Sequence, residues 1–241
     1  MLALGMIAAL AMPGTAQATP QLGDLGVKQS MSVKASNGES LEGKDLRAIQ
    51  LATYTAASVD GNTIVGYDLT TNTALASDIT AAAKAAGATD TNLTVNGKND
   101  PMVWVVKNLT DSRSDPWSGK LRNFCNSLAK QTNFAKQDGT AVSTLSQDKA
   151  TMSTGNVLVP GIYAIVDRTP ATTTLSSDTA IKTTASIMMM NGTAVNGVNQ
   201  LRTAGGTTLT LGQVIYKVSN VESPDKKSTS AVPGKTAHPK R

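Results

Sequence analysis

One cysteine and one histidine in 241 residues set the first limits on what this chain does. Cys125 has no partner for an intrachain disulfide, so the fold must be held by its core or by some other crosslink. His238 stands alone near the C-terminus, which removes the usual Ser-His-Asp and Cys-His arrangements from the body of the chain. No zinc-ligand spacing and no phosphate-binding glycine loop is present, and no cofactor or metal is expected. Aromatic residues are only 3% of the chain, and no basic helix face interleaved with rings offers a nucleic-acid surface. The formal charge of +5 is concentrated in residues 225–241, where Lys226, Lys227, Lys235, Lys240 and Arg241 meet a single acid, Asp225. That segment reads as a basic, solvated, disordered tail, and nucleic acid is not an expected partner. Past the first 18 residues no run approaches the ~20 apolar residues of a membrane span.

Thr, Ala, Ser, Val and Gly fill the space left by aromatics, and Thr and Val suit pleated, half-exposed surfaces. The reading is therefore mainly β. Residues 1–18 have an apolar centre, a Pro13-Gly14 break and an Ala16-Gln17-Ala18 ending of the small-x-small kind, which predicts a signal peptide and a mature start at Thr19. Residues 27–34 alternate, with Val27, Met31 and Val33 on one face. Ser36-Asn37-Gly38 signals a hairpin-type turn, residues 46–54 resume as strand, and Asp60-Gly61-Asn62 turns the chain into the next, residues 63–69. The stretch that organises the rest is residues 158–167, L-V-P-G-I-Y-A-I-V-D, whose apolar density predicts a strand buried between two layers.

Residues 77–86, Ala-rich and closed by Gly87, predict a short helix. Asp115-Pro116 predicts the start of another, carrying Trp117, Leu121, Phe124, Cys125 and Leu128 at helical spacing. Periodicity leaves residues 102–109 open between strand and helix. Residues 129–156 read as polar and irregular, with a hairpin near Asp138-Gly139. The methionine run 188–190 reads as core filler rather than a soft-metal site, and residues 209–220 as the last strand.

Residues 41–51 (L-E-G-K-D-L-R-A-I-Q-L), the helical insert, V-P-G-I-Y-A-I-V-D and the closing T-L-T-L-G-Q-V-I-Y-K together resemble the N-terminal domain of Gram-positive fimbrial subunits, the sortase-assembled pilins. The likeness spans residues 19–227. It implies an Ig-like antiparallel β-sandwich with a helical insertion, at the cell surface, and it implies other pilin subunits and a sortase as partners. It also implies an internal isopeptide bond, for which Lys34 and Asn220 are the candidate pair and Asp167 the acid that promotes it. Lys217, in Val214-Ile215-Tyr216-Lys217, is the candidate for linkage into a pilus. The chain stops where a second domain would begin and carries no sorting signal, so a truncated subunit is expected: 1–18 signal peptide, 19–221 domain, 222–241 tail or start of the next domain.

Two readings of function follow. The first is a structural or adhesive surface protein of the fimbrial type without turnover chemistry. The second is a secreted Ig-like module that binds carbohydrate or a host protein and never enters a polymer. A weaker third, a hydrolase with a dispersed carboxylate pair, has no local motif behind it.

Overall fold

The computed structural model describes residues 21–36, 38–95, 97–109, 119–169, 174–176, 179–183, 189–202, 206, 208–216 and 220–222. Its strands in chain order are β1 (Gln21–Leu22), β2 (Ser32–Ala35), β3 (Leu46–Asp60), β4 (Thr63–Thr71), β5 (Thr94–Val95), β6 (Lys98–Asn99), β7 (Thr140–Val142), β8 (Thr144–Leu145), β9 (Thr151–Ser153), β10 (Gly161–Asp167), β11 (Thr174–Ser176), β12 (Thr179–Thr183), β13 (Met189–Gly192), β14 (Gln200–Arg202), β15 (Thr208–Thr210), β16 (Gln213–Tyr216) and β17 (Asn220–Glu222). The helices are α1 (Ala76–Ala85), α2 (Pro101–Leu109), α3 (Lys120–Leu128) and α4 (Thr132–Ala135), all between β4 and β7.

The large sheet runs β13-β10-β3-β4-β14-β15, with β1 and β7 also paired to β3. A smaller sheet runs β16-β2-β9-β8, and a third, β11-β12-β17. Strand β10 pairs with β3 on one side and β13 on the other. Because successive side chains point to opposite faces of a strand, β10 feeds two cores at once. Ile162 and Ala164 enter a core shared with the helices, while Tyr163 and Ile165 enter a second core shared with the small sheet. Strand β3 divides likewise, Leu46 and Ala48 towards the small sheet and Ile49 and Leu51 towards the helices. The result is three layers, helices on the large sheet and the large sheet on the small one. The burial expected of residues 158–167 is thus met, and by two different covering layers.

Local chemistry explains the junctions. Gly61, at φ +55°, supplies the turn between β3 and β4. Helix α1 ends where Ala88 N–H reaches the Ala83 carbonyl across Gly87, at φ +105°. Helix α2 starts with Pro101 at its first position, and Thr71 holds it, its hydroxyl accepting from Met102 N–H at 3.0 Å. Asp78, a buried acid on α1, receives the Phe134 N–H at 2.8 Å and the Asn133 amide at 3.0 Å, which seats α4.

The fold is mixed α/β with strand outweighing helix, in open mixed sheets that are not clearly an Ig sandwich. The expected purely antiparallel pairing is corrected at two places, since β16 runs parallel to β2 and β14 parallel to β4. The helical insertion is present. Residues 102–109 are helix, because Met102, Val105 and Leu109 at helical spacing bury one face. The first strand is shorter than its alternation suggested, and Val27 is 41% exposed. The turn at residue 36 leads from one sheet to another rather than closing a hairpin. Residues 129–156 are not irregular but form α4, β7, β8 and β9, short segments whose polar outer faces hid a few buried anchors, Phe134, Val142 and Met152. The last strand breaks at Gly212, φ +78°, into β15 and β16, which join different sheets. Residues 1–18, the helix start at Asp115-Pro116, Met188 and the tail from residue 223 lie outside the described residues.

Candidate functional site

Asp167 closes β10, and around its carboxylate three distant segments meet. Its Oδ1 accepts from Thr169 N–H at 2.8 Å. Its Oδ2 accepts from the Tyr216 hydroxyl at the end of β16 and lies 3.8 Å from Lys44 Nζ. Both charged side chains are largely withdrawn from water, Lys44 15% and Asp167 8% exposed. The same ammonium sits 5.8 Å from the Tyr216 ring centroid, within cation–π range. Lys44 comes from the loop before β3, where Gly43 takes φ +77° and Lys44 N–H returns to the Leu41 carbonyl at 3.1 Å. Two further bonds stitch that loop to the strand end, Arg168 N–H to the Asp45 carbonyl at 2.7 Å and Asp45 N–H to the Thr169 hydroxyl at 2.9 Å. Burial, then the hydrogen bond to Asp167, push the Tyr216 hydroxyl well above its ordinary value, so it stays a donor. Chemically this is a clasp: an ion pair and a charge-assisted hydrogen bond sharing one carboxylate oxygen.

Of the residues singled out by sequence, Asp167 is central here. Lys34 is not among its partners. It points outward from β2 between the buried Val33 and Ala35, and its charge, with the Ser146 hydroxyl leading, holds the exposed Asp148 below its ordinary value. Asn220 pairs with Thr183 in the three-stranded sheet, and Lys217 lies outside the described residues. Lys44 and Tyr216 are the members that sequence reasoning missed. Both stand inside quoted motifs, but Lys44 sits in a loop, where periodicity says nothing about partners.

Cys125 is buried in α3, which pushes its thiol up to about 12, as suits an inert core residue. Among the described residues no three His, Cys, Asp or Glu side chains are placed to hold a metal. No helix of the described residues is long and apolar enough to cross a membrane. An open groove of about 740 Å³ is lined by carboxamides, among them Gln29, Asn156, Asn196, Asn199 and Gln213, with no carboxylate or aromatic ring. No family model, no curated protein and no solved structure matches the chain.

Proposed function

We propose that this chain is a structural or adhesive cell-surface protein, a fimbrial subunit exported by its first 18 residues and free of turnover chemistry. The observation that carries the reading is the position of its quoted motifs. They form β3 and β10, which feed both cores, and β16, which feeds the second; the start of β3 and the ends of β10 and β16 meet at the Lys44–Asp167–Tyr216 clasp. Such a chain uses its residues to hold shape rather than to line a reactive cleft. The Ig-like part of the proposal draws on the small sheet facing β3, β7 and β10 across the second core, with first and last strands β2 and β16 side by side. Within this reading Lys217 is the attachment point for a neighbouring subunit, and Lys34 and Asn220 are the pair for an isopeptide bond, without Asp167, whose carboxylate is held by Thr169, Tyr216 and Lys44. Other subunits and a sortase are the partners. Co-expression of the chain with a sortase and a sorting-signal partner tests it: the account expects SDS-stable products that vanish in Lys217→Arg. Their absence with the wild-type chain contradicts it.

The second reading, a secreted module for carbohydrate or host protein, draws on the carboxamide-lined groove, whose paired donors and acceptors suit hydroxyl-rich or peptide ligands. Saturation-transfer NMR with neutral sugars tests that reading separately.

A further inference from the structure

The first strand of the small sheet and its last lie next to each other and run the same way. Ser32, Val33, Lys34 and Ala35 pair in register with Gln213, Val214, Ile215 and Tyr216. The ladder is closed at both ends, by Ser32 N–H to the Gly212 carbonyl at 2.8 Å and Ser36 N–H to the Tyr216 carbonyl at 2.9 Å. The chain enters this pair at Ser32, the near end of β2, and leaves it at Tyr216, the far end of β16. A pull on the two ends of the protein therefore drags β2 and β16 in opposite directions along their own axes.

We propose that the β2–β16 pair is a shear clamp and that the domain serves as a link carrying tension between neighbours attached at its two ends. In shear, every inter-strand hydrogen bond is loaded together and must fail within a small displacement. In peeling, bonds fail one at a time, and each released residue pair frees about 7 Å of chain for the force to work through. Rupture by force is governed by an unfolding rate, and the shorter the distance to the barrier, the less a given force lowers it.

Three features fix the strand ends against sliding. Val33, Ala35, Val214 and Tyr216 are all buried in the second core, so slippage drags apolar side chains past one another. Tyr216, where the load leaves the pair, is tied to Asp167, which belongs to the other sheet, and through it to Lys44. At the opposite end, Asn191 donates to the Gln213 carbonyl at 2.6 Å and the Ser32 hydroxyl reaches the Gly212 carbonyl at 3.3 Å. The outlying pairs, β1 on β3 and β17 on β12, register over only two and three residues. The inference stands on strand direction alone and does not depend on assembly into fimbriae.

Single-molecule pulling on residues 19–241, held between identical marker domains, tests it by changing only where the force enters. Ser36 is exposed and lies just past β2, so attachment through a Ser36→Cys thiol and the C-terminus unzips β16 from β2 instead of shearing them. The buried Cys125 does not compete for the linker. Both geometries load β17 alike; the end-to-end pull also loads β1 on β3 and the Gln29–Leu158 bridge, contacts of two residues and of one that yield before the β2–β16 pair. The expected result is a single end-to-end rupture at a force severalfold above that of the unzipping geometry. Equal forces, or an end-to-end rupture below the unzipping one, overturn the proposal. A second variant, Val214→Pro, removes an N–H that the parallel register directs at β2. It lowers the end-to-end force severalfold and leaves the unzipping force nearly as it was; an unchanged end-to-end force in the folded variant also overturns the clamp. Should Val214→Pro fail to fold, the comparison of geometries in the parent chain decides alone.

Discussion

The Tyr216 hydroxyl donates to the Asp167 carboxylate across the boundary between two sheets, tying the last strand of the small sheet to β10 of the large one. Hydrogen bonds to charged groups contribute about 1.5–3 kcal/mol, so Tyr216→Phe is expected to lower stability by about 2 kcal/mol. Asp167→Ala removes the acceptor shared by Tyr216, Lys44 and Thr169 and leaves a withdrawn ammonium unpaired, at a cost of about 3 kcal/mol. Urea midpoints at pH 7 measure both. An Asp167→Ala variant no less stable than Tyr216→Phe contradicts the shared-carboxylate account.

Among the described residues the buried Tyr54 hydroxyl has no hydrogen-bond partner, and it abuts Gly192 so closely that a Cβ there would lie 2.2 Å from the oxygen. Removing an unsatisfied buried hydroxyl is neutral or stabilising, so Tyr54→Phe is expected to gain up to about 1 kcal/mol. Gly192→Ala is expected to lose about 2 kcal/mol by forced displacement, and the double variant to recover most of that loss. Strict additivity in the thermal midpoints would show that the two positions do not press on each other.

Burial raises the hydroxyl groups of Tyr54, Tyr67, Tyr163 and Tyr216 above their ordinary value of 10.0, Tyr67 and Tyr163 to about 12. A group whose folded value is raised contributes stability that is complete below its unfolded value and is lost as pH rises towards the folded one. Stability is therefore expected to stay level up to about pH 9 and to fall steeply between about pH 10 and 12. Tyr54→Phe should make that fall shallower. Denaturant midpoints flat through pH 11.5 contradict this arrangement of buried hydroxyl groups.

The proposed Lys34–Asn220 crosslink has a signature independent of any structure. Amide formation between a lysine amine and an asparagine side chain expels ammonia, so the folded chain should weigh about 17 Da less than its sequence. Intact mass spectrometry reads this directly, and Lys34→Arg should restore the full mass. An unshifted mass removes the crosslink. A shift that persists in Lys34→Arg assigns the amine to another lysine.

Strand β10 was legible because its apolar residues follow one another without a polar face, the mark of burial on both sides. Helix α1 was legible from its alanines and Gly87, and the β3–β4 hairpin from Asp60-Gly61-Asn62. What pairs with what was not. Nothing in V-K-Q-S-M-S-V-K says that its partner in the sheet lies 181 residues further on, as Ser32 with Gln213, or that the two run parallel. The clasp was illegible for the same reason. Lys44, Asp167 and Tyr216 are each unremarkable locally, and only the tertiary approach of a loop and two strand ends makes them a unit. Lys34 drew notice as a strand-end lysine, yet strand alternation turns it outward, away from both cores.

The most direct test of the central claim, that this is a polymerised surface subunit and not a free binding module, is immunoblotting of fractionated cells with antibody to residues 21–216. The account predicts signal in the cell-wall fraction as a ladder of high-mass species that survives boiling in SDS. A single band of monomer mass confined to the culture medium would contradict it.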